Sequence, residues 1–337
     1  MRVHPRVRVC FWLTALSVLA LPSPAQAPPY LGQALPGKEA VPFAPGIVNT
    51  GLSTRDITFM PDGTEIYFGV FLPGFRKAVV VETHQEAGHW STPEVAAFSQ
   101  DPRWRCLEPC ISPDGRQFFF VSDRPAEAKS DGPGPFGIWM MARKGAAWSE
   151  PVRLPDSVNG SGNAFYPSIT RAGVLHFLRE EGRGGWLMRS ALENGQWSPA
   201  EKLPPPFNAD PRQANPRVDP EGRFILVPMM GRADSLGGAD YYGYFQREDG
   251  TWTEPCHLGP TVNSAAADEY SISLSPDGRV VFFGSDRALP RLDGKPLRWA
   301  EILAERTQPG NGQTSLWWVD AGFLVEARKR ALAGPRR

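Results

Sequence analysis

The sequence predicts an all-β fold: one closed β-propeller of five four-stranded blades, with six as the alternative. Three observations predict it. A set of four landmarks recurs in fixed order about five times between residues 40 and 325. Each recurrence takes roughly 50–60 residues and reads as four strands, the period and content of a propeller blade. The two ends of the repeat region are complementary fragments of one such unit.

The first landmark is a turn: Met60-Pro61-Asp62-Gly63, Ser112-Pro113-Asp114-Gly115, Asp219-Pro220-Glu221-Gly222 and Ser275-Pro276-Asp277-Gly278, with Thr170-Arg171-Ala172-Gly173 as a degenerate copy. Pro presets φ at the first central position, Asp bonds to nearby backbone, and Gly accepts positive φ. A β-branched and aromatic run follows each turn: Ile66–Phe68, Phe118–Phe120, Leu175–Phe177, Phe224–Leu226 and Val280–Phe283. Its near-continuous apolarity fits a strand buried on both faces. Ser-Asp-Arg closes two of these runs, at 122–124 and 285–287.

A third strand comes next: Ala78–Val81, Ile138–Met141, Trp186–Met188, Tyr242–Phe245 and Leu316–Val319. The fourth landmark is a hairpin and its return. Asn194-Gly195 and Asp249-Gly250 are strong hairpin turns, with Gly88 and Gly145 in the equivalent places. The returns begin Trp90-Ser91, Trp148-Ser149, Trp197-Ser198 and Trp252-Thr253. Three then reach an apolar-Asn step, at Val158-Asn159, Phe207-Asn208 and Val262-Asn263. The recurrence of these tryptophans points to packing between blades.

The last unit stops after its third strand, while Pro42–Asn49 matches an outer strand with no hairpin before it. Ring closure follows: the N-terminal segment supplies the outer strand of the last blade and removes an open edge. The long stretch 288–312 reads as a surface insertion.

Around the propeller (41–325) the chain divides into a secretory signal (1–25), a linker (26–40) and a basic, helix-compatible tail (326–337). Arg2, Arg6 and Arg8 precede the apolar run Cys10–Leu21, which is too short to span a bilayer, and small residues follow it. The expected location is therefore the periplasm or the cell exterior. No transmembrane segment is expected after cleavage, and a monomer is expected. Without the three signal arginines, 33 basic residues face 36 acidic ones, so no basic field attracts nucleic acid. Cys106, Cys110 and Cys256 remain, an odd number that cannot close fully into disulfides; buried thiols are the leading reading.

The Ser-Pro-Asp-Gly-Arg turns, the Ser-Asp-Arg strand ends and the Trp-Ser-x-Pro returns resemble the TolB-like (WD40-like) β-propeller repeat family of bacterial exported proteins, over about residues 40–325. That family is commonly six-bladed, whereas five units stand here. The resemblance implies binding of a ligand or protein in the cell envelope and transfers no catalytic residues.

No nucleophile elbow, phosphate loop, zinc helix or calcium loop is present, and no cofactor or metal is expected. The inner strands precede each turn, so residues at their starts should converge on the channel: Arg55, Asp56, Glu108, Tyr166, Asn215, Asp268 and Glu269. The leading expectation is a non-catalytic module whose rim binds a glycan, peptide or envelope protein. The alternative is a glycosidase-like enzyme using carboxylates from different blades, with Asp56, Glu108 and Glu269 as the candidates.

Overall fold

A computed structural model describes residues 29–126, 132–182, 184–265, 268–292, 294 and 296–334. The signal segment and Arg336-Arg337 lie outside the described residues. Five antiparallel sheets stand around one axis, each following the chain from inner to outer strand. Their inner strands are Ser53–Phe59, Cys106–Ile111, Ala164–Ile169, Arg217–Val218 and Glu269–Leu274. Each inner strand touches the next, and the fifth touches the first, so the ring is closed.

The second strands are the most buried, as their apolar runs require: Phe118, Phe119 and Phe120 are wholly inaccessible, as are Val281, Phe282 and Phe283. The outer-strand tryptophans reach back to the preceding blade. The Trp148 indole N–H donates to the Tyr67 hydroxyl at 3.0 Å, and Trp197 meets Phe119 edge-on at 6.0 Å. The serine after each tryptophan serves the strand beside it: Ser149 and Ser198 hydroxyls accept the N–H groups of Ala142 and Ala191, both at 3.0 Å. Thr253 does the same for Phe245 at 3.1 Å.

The apolar-Asn step is a peptide mimic. The Asn159 side chain accepts the Ile138 N–H at 2.7 Å and donates to the Ile138 and Leu154 carbonyls at 3.2 and 2.7 Å. Asn208 repeats the pattern with Leu187 and Leu203, and Asn263 bonds both backbone groups of Tyr241. The carboxamide thus ties the segment beyond the outer strand to the third strand of the same blade, satisfying backbone groups that burial would otherwise orphan. In blade 1 the hydroxyl of Ser99 takes this place, accepting the Val80 N–H at 2.9 Å.

Closure uses the same device. Val41–Pro42 pairs antiparallel with Trp317 and Trp318, and Asn49 accepts the Leu316 N–H at 2.9 Å while donating to the Leu316 carbonyl at 2.7 Å. Paired strand is therefore confined to 41–42; residues 43–49 form a turn ending in the asparagine latch. Phe43 is fully buried against Phe282 and Trp318, with ring centroids 5.0 Å from each.

The 288–312 stretch is an insertion carrying the helix Trp299–Glu305. It rests on Gly51, whose φ is +86° and where a Cβ would lie 1.9 Å from the Arg306 carbonyl oxygen, so only glycine fits. The C-terminal helix Gly322–Ala333 runs through the expected boundary at 325 and buries Leu324 and Ala327 against blade 4. Among the described residues no helix is long and apolar enough to cross a membrane, and the three cysteines are free thiols.

Candidate functional site

One residue in four of the inner strands, and one two residues before the fifth, has left-handed backbone: Asp56 (φ 62°), Glu108 (56°), Tyr166 (52°) and Ser271 (55°) within strands, and Asn215 (41°) ahead of Arg217–Val218. Each lies five positions before the turn residue Pro61, Pro113, Arg171, Pro220 or Pro276. In blades 1, 2, 3 and 5 the strand register shifts at this point, the mark of a β-bulge. A bulge re-aims one side chain, here toward the axis, at a backbone cost of about 1 kcal/mol or more per non-glycine residue. All five residues are buried.

The bulged N–H groups are received by the neighbouring blade. Ser271 Oγ accepts the Asp56 N–H at 3.2 Å, the Glu108 N–H favours the charged form of the Asp56 carboxyl, and Glu108 Oε2 accepts the Tyr166 N–H at 2.6 Å. Tyr166 crosses the channel and donates its hydroxyl proton to the Ile272 carbonyl at 3.1 Å. Two residues further along each strand a second level follows, where Thr58 and Ser168 accept the N–H groups of Ile111 and Val218 at 3.1 and 2.8 Å. Beyond it a cavity of about 70 Å³ opens on the face of the Pro-Asp-Gly turns, lined from all five blades, Arg217 and Arg171 included.

The two carboxyls differ in environment. Burial drives the Glu108 pKa up to about 8, and the nearby Asp56 charge adds to the effect. Burial also raises Asp56, but Arg55, the Ser271 hydroxyl and the Glu108 N–H all favour its charged form. Arg55 Nε lies 3.2 Å from Asp56 Oδ2. Glu108 therefore keeps its proton near neutral pH, and at Asp56, whose pKa burial also raises, Arg55 and the neighbouring donors oppose that rise. Asp56 Oδ1 is buried and has no hydrogen-bond partner among the described residues.

Arg55 covers the axis at the opposite end from the turns. Its guanidinium lies 4.3 Å from the Phe71 ring and 5.7 Å from the Tyr270 ring, with the side chain 20% exposed. Glu269 stands two positions before the ring. It is fully buried, 3.1 Å from Arg287 and 2.6 Å from the Ser264 hydroxyl, and burial raises its pKa to about 7. Asp268 lies at the strand entry, where its N–H donates to Asp286 at 3.2 Å.

The structure thus brings Arg55, Asp56, Glu108 and Tyr166 into one bonded group and sets Asn215 at the equivalent point of blade 4. Sequence reasoning missed Ser271. The signal was present, because counting five residues back from Pro276 reaches Ser271 rather than Asp268 or Glu269. Among the described residues no cluster of three or more His, Cys, Asp or Glu could hold a metal ion.

Fold and site together define a five-bladed propeller with a buried carboxyl pair on its axis. No protein-family model matches the chain, and no curated protein is detectably similar in sequence. Solved structures do resemble it. TolB from Acinetobacter baumannii is 17% identical with a TM-score of 0.45, over 69% of this chain and 49% of TolB, so the chain spans about half of that protein. An alpha-L-arabinofuranosidase from Lactobacillus brevis is 12% identical with a TM-score of 0.46, over 80% of this chain and 91% of the enzyme. A glycoside hydrolase is 12% identical with a TM-score of 0.49, over 87% and 93% of the two chains. The likeness is one of fold. The leading expectation of a non-catalytic binding module is corrected: glycoside-cleaving enzymes are among the solved structures of this fold, and the channel of this chain holds a buried carboxyl pair. The alternative, carboxylate chemistry in the channel, is the reading carried forward.

Proposed function

We propose that the protein is a glycosidase-like hydrolase in which Glu108 is the general acid and Asp56 the charged carboxylate. The observation that carries this is the division of labour within the pair. One buried carboxyl keeps its proton near neutral pH, and its neighbour faces the Arg55 guanidinium with one oxygen and leaves the other uncommitted. Glycoside cleavage needs a protonated and an ionised carboxyl flanking the scissile bond, one to protonate the leaving oxygen and one to meet the positive charge that develops at the anomeric carbon. Substrate enters from the Arg55 end of the channel. The N-terminal sequence supports export, and the repeated turns and strand ends support a place beside TolB-like propellers.

The test is hydrolysis of a panel of aryl glycosides and polysaccharides by the wild type, Glu108→Gln and Asp56→Asn. Each variant is expected to lose about 10²–10⁴-fold in kcat while remaining folded. The wild-type rate should fall as pH rises past about 8, where Glu108 gives up its proton. A wild type inactive on every glycoside, or variants as fast as the wild type, would overturn the reading.

A further inference from the structure

Two arginines at the entry end of the channel are held in the same way. Arg55 directs Nε to Asp56 at 3.2 Å, and Arg105 directs Nε to Asp123 at 2.8 Å. Each guanidinium lies against two aromatic rings. Arg55 stands 4.3 Å from Phe71 and 5.7 Å from Tyr270; Arg105 stands 4.8 Å from Phe75 and 4.7 Å from Phe136. The two supports are joined, because Phe71 and Phe75 stack with centroids 5.8 Å apart and planes 15° from parallel. Aromatic stacking and the Nε bond fix the plane of each guanidinium before any ligand arrives.

What remains free is the outer part of each fork. Neither amino group of Arg55 makes a hydrogen bond among the described residues. Arg105 uses only Nη1, in a long 3.5 Å contact with the Phe75 carbonyl. The side chains are 20% and 28% exposed, so these donors reach solvent. A pre-oriented guanidinium with paired free donors matches a carboxylate bidentately, and little entropy is lost when the bond forms. Exposed Arg76, on the hairpin that carries Phe75, adds positive charge nearby. Asp56 and Asp123 each engage only the Nε of one arginine, and Asp268, near Arg55, accepts the Tyr270 hydroxyl at 3.3 Å, so the outer forks of both arginines stay without a carboxylate hydrogen bond among the described residues.

We propose that Arg55 and Arg105 form a paired anion grip at the channel mouth, and that the saccharide this site takes bears carboxylate groups, as a uronic-acid oligosaccharide does. The kind of ligand rests on the hydrolase reading; the grip rests on the arginine geometry alone.

Calorimetry with trigalacturonate and with its methyl ester tests the grip. The wild type should bind the acid at least about tenfold tighter than the ester. The preference should shrink as salt is raised. Arg105→Gln should lose most of the preference. Arg55→Lys, which keeps the charge beside Asp56 but loses the fork, should weaken acid binding more than ester binding. Equal affinity for acid and ester, or an unchanged preference in both variants, would overturn the inference. If the wild type cleaves neutral aryl glycosides yet shows no acid preference, the grip fails and the hydrolase stands. If it prefers the acid but cleaves no glycoside, the hydrolase fails and the grip stands.

Discussion

Toward the outside of the blades, four equivalent positions carry the same residue. Asn49, Asn159, Asn208 and Asn263 each bond both backbone groups of a third-strand residue, and Ser99 stands in the fifth place. On the axis, five equivalent positions carry five different residues: Asp56, Glu108, Tyr166, Asn215 and Ser271. Both sets are buried apart from half-buried Asn208, and both bond mainly to backbone. A position that solves the same packing problem in every blade repeats its residue. One that varies while its strained backbone is kept has been released from the repeat to hold different chemistry. The contrast separates what builds the ring from what the ring presents.

The contrast can be broken at several points. Phe43→Ala opens a void between Phe282 and Trp318 at the closing blade, and should cost about 3–5 kcal/mol in a denaturant titration. A cost below about 1 kcal/mol would mean that the N-terminal segment does not hold the ring. Asn159→Ala removes three buried hydrogen bonds and strands the Ile138 backbone, and about 2–3 kcal/mol is expected by the same measurement.

On the axis the expected signature is pH dependence. The Glu108 pKa is raised in the folded chain, to about 8 from an ordinary 4.5. Its stabilising contribution is whole below about 4.5 and is lost as pH rises toward 8. Glu108→Gln cannot ionise, so its melting temperature should fall less than that of the wild type between pH 5 and 8, as scanning calorimetry would show. Parallel pH profiles for the two proteins would refute the buried proton. The smallest effect expected is Trp148→Phe, which keeps the ring packing but drops the bond to Tyr67, at about 1 kcal/mol.

Much of this architecture was legible because it is periodic. Turns, apolar second strands and Trp-Ser returns each obey a local rule, and their order exposes the blade. The asparagine step was also visible, but its role was not. A carboxamide that pairs with a strand some 20 residues earlier leaves only a recurring letter in the chain. The inner-strand acids were found by position. Asp268 and Glu269 were placed in the same group because they open a strand, whereas the bulge that turns a side chain to the axis comes later, at Ser271. A bulge has no residue signature of its own, and only the constant distance to the turn betrays it.

The sequence by itself determined five similar units, their strand order and the need for the N-terminus to complete the last one, since each of these follows from local turn chemistry and alternating burial. Tertiary structure alone decided the chemistry of the axis. The raised pKa values of Glu108 and Asp56 and the orientation of Arg55 and Arg105 arise from groups tens to hundreds of residues apart in the chain. A carboxyl's ionisation depends on the water and charge around it, and those are set only when the blades meet.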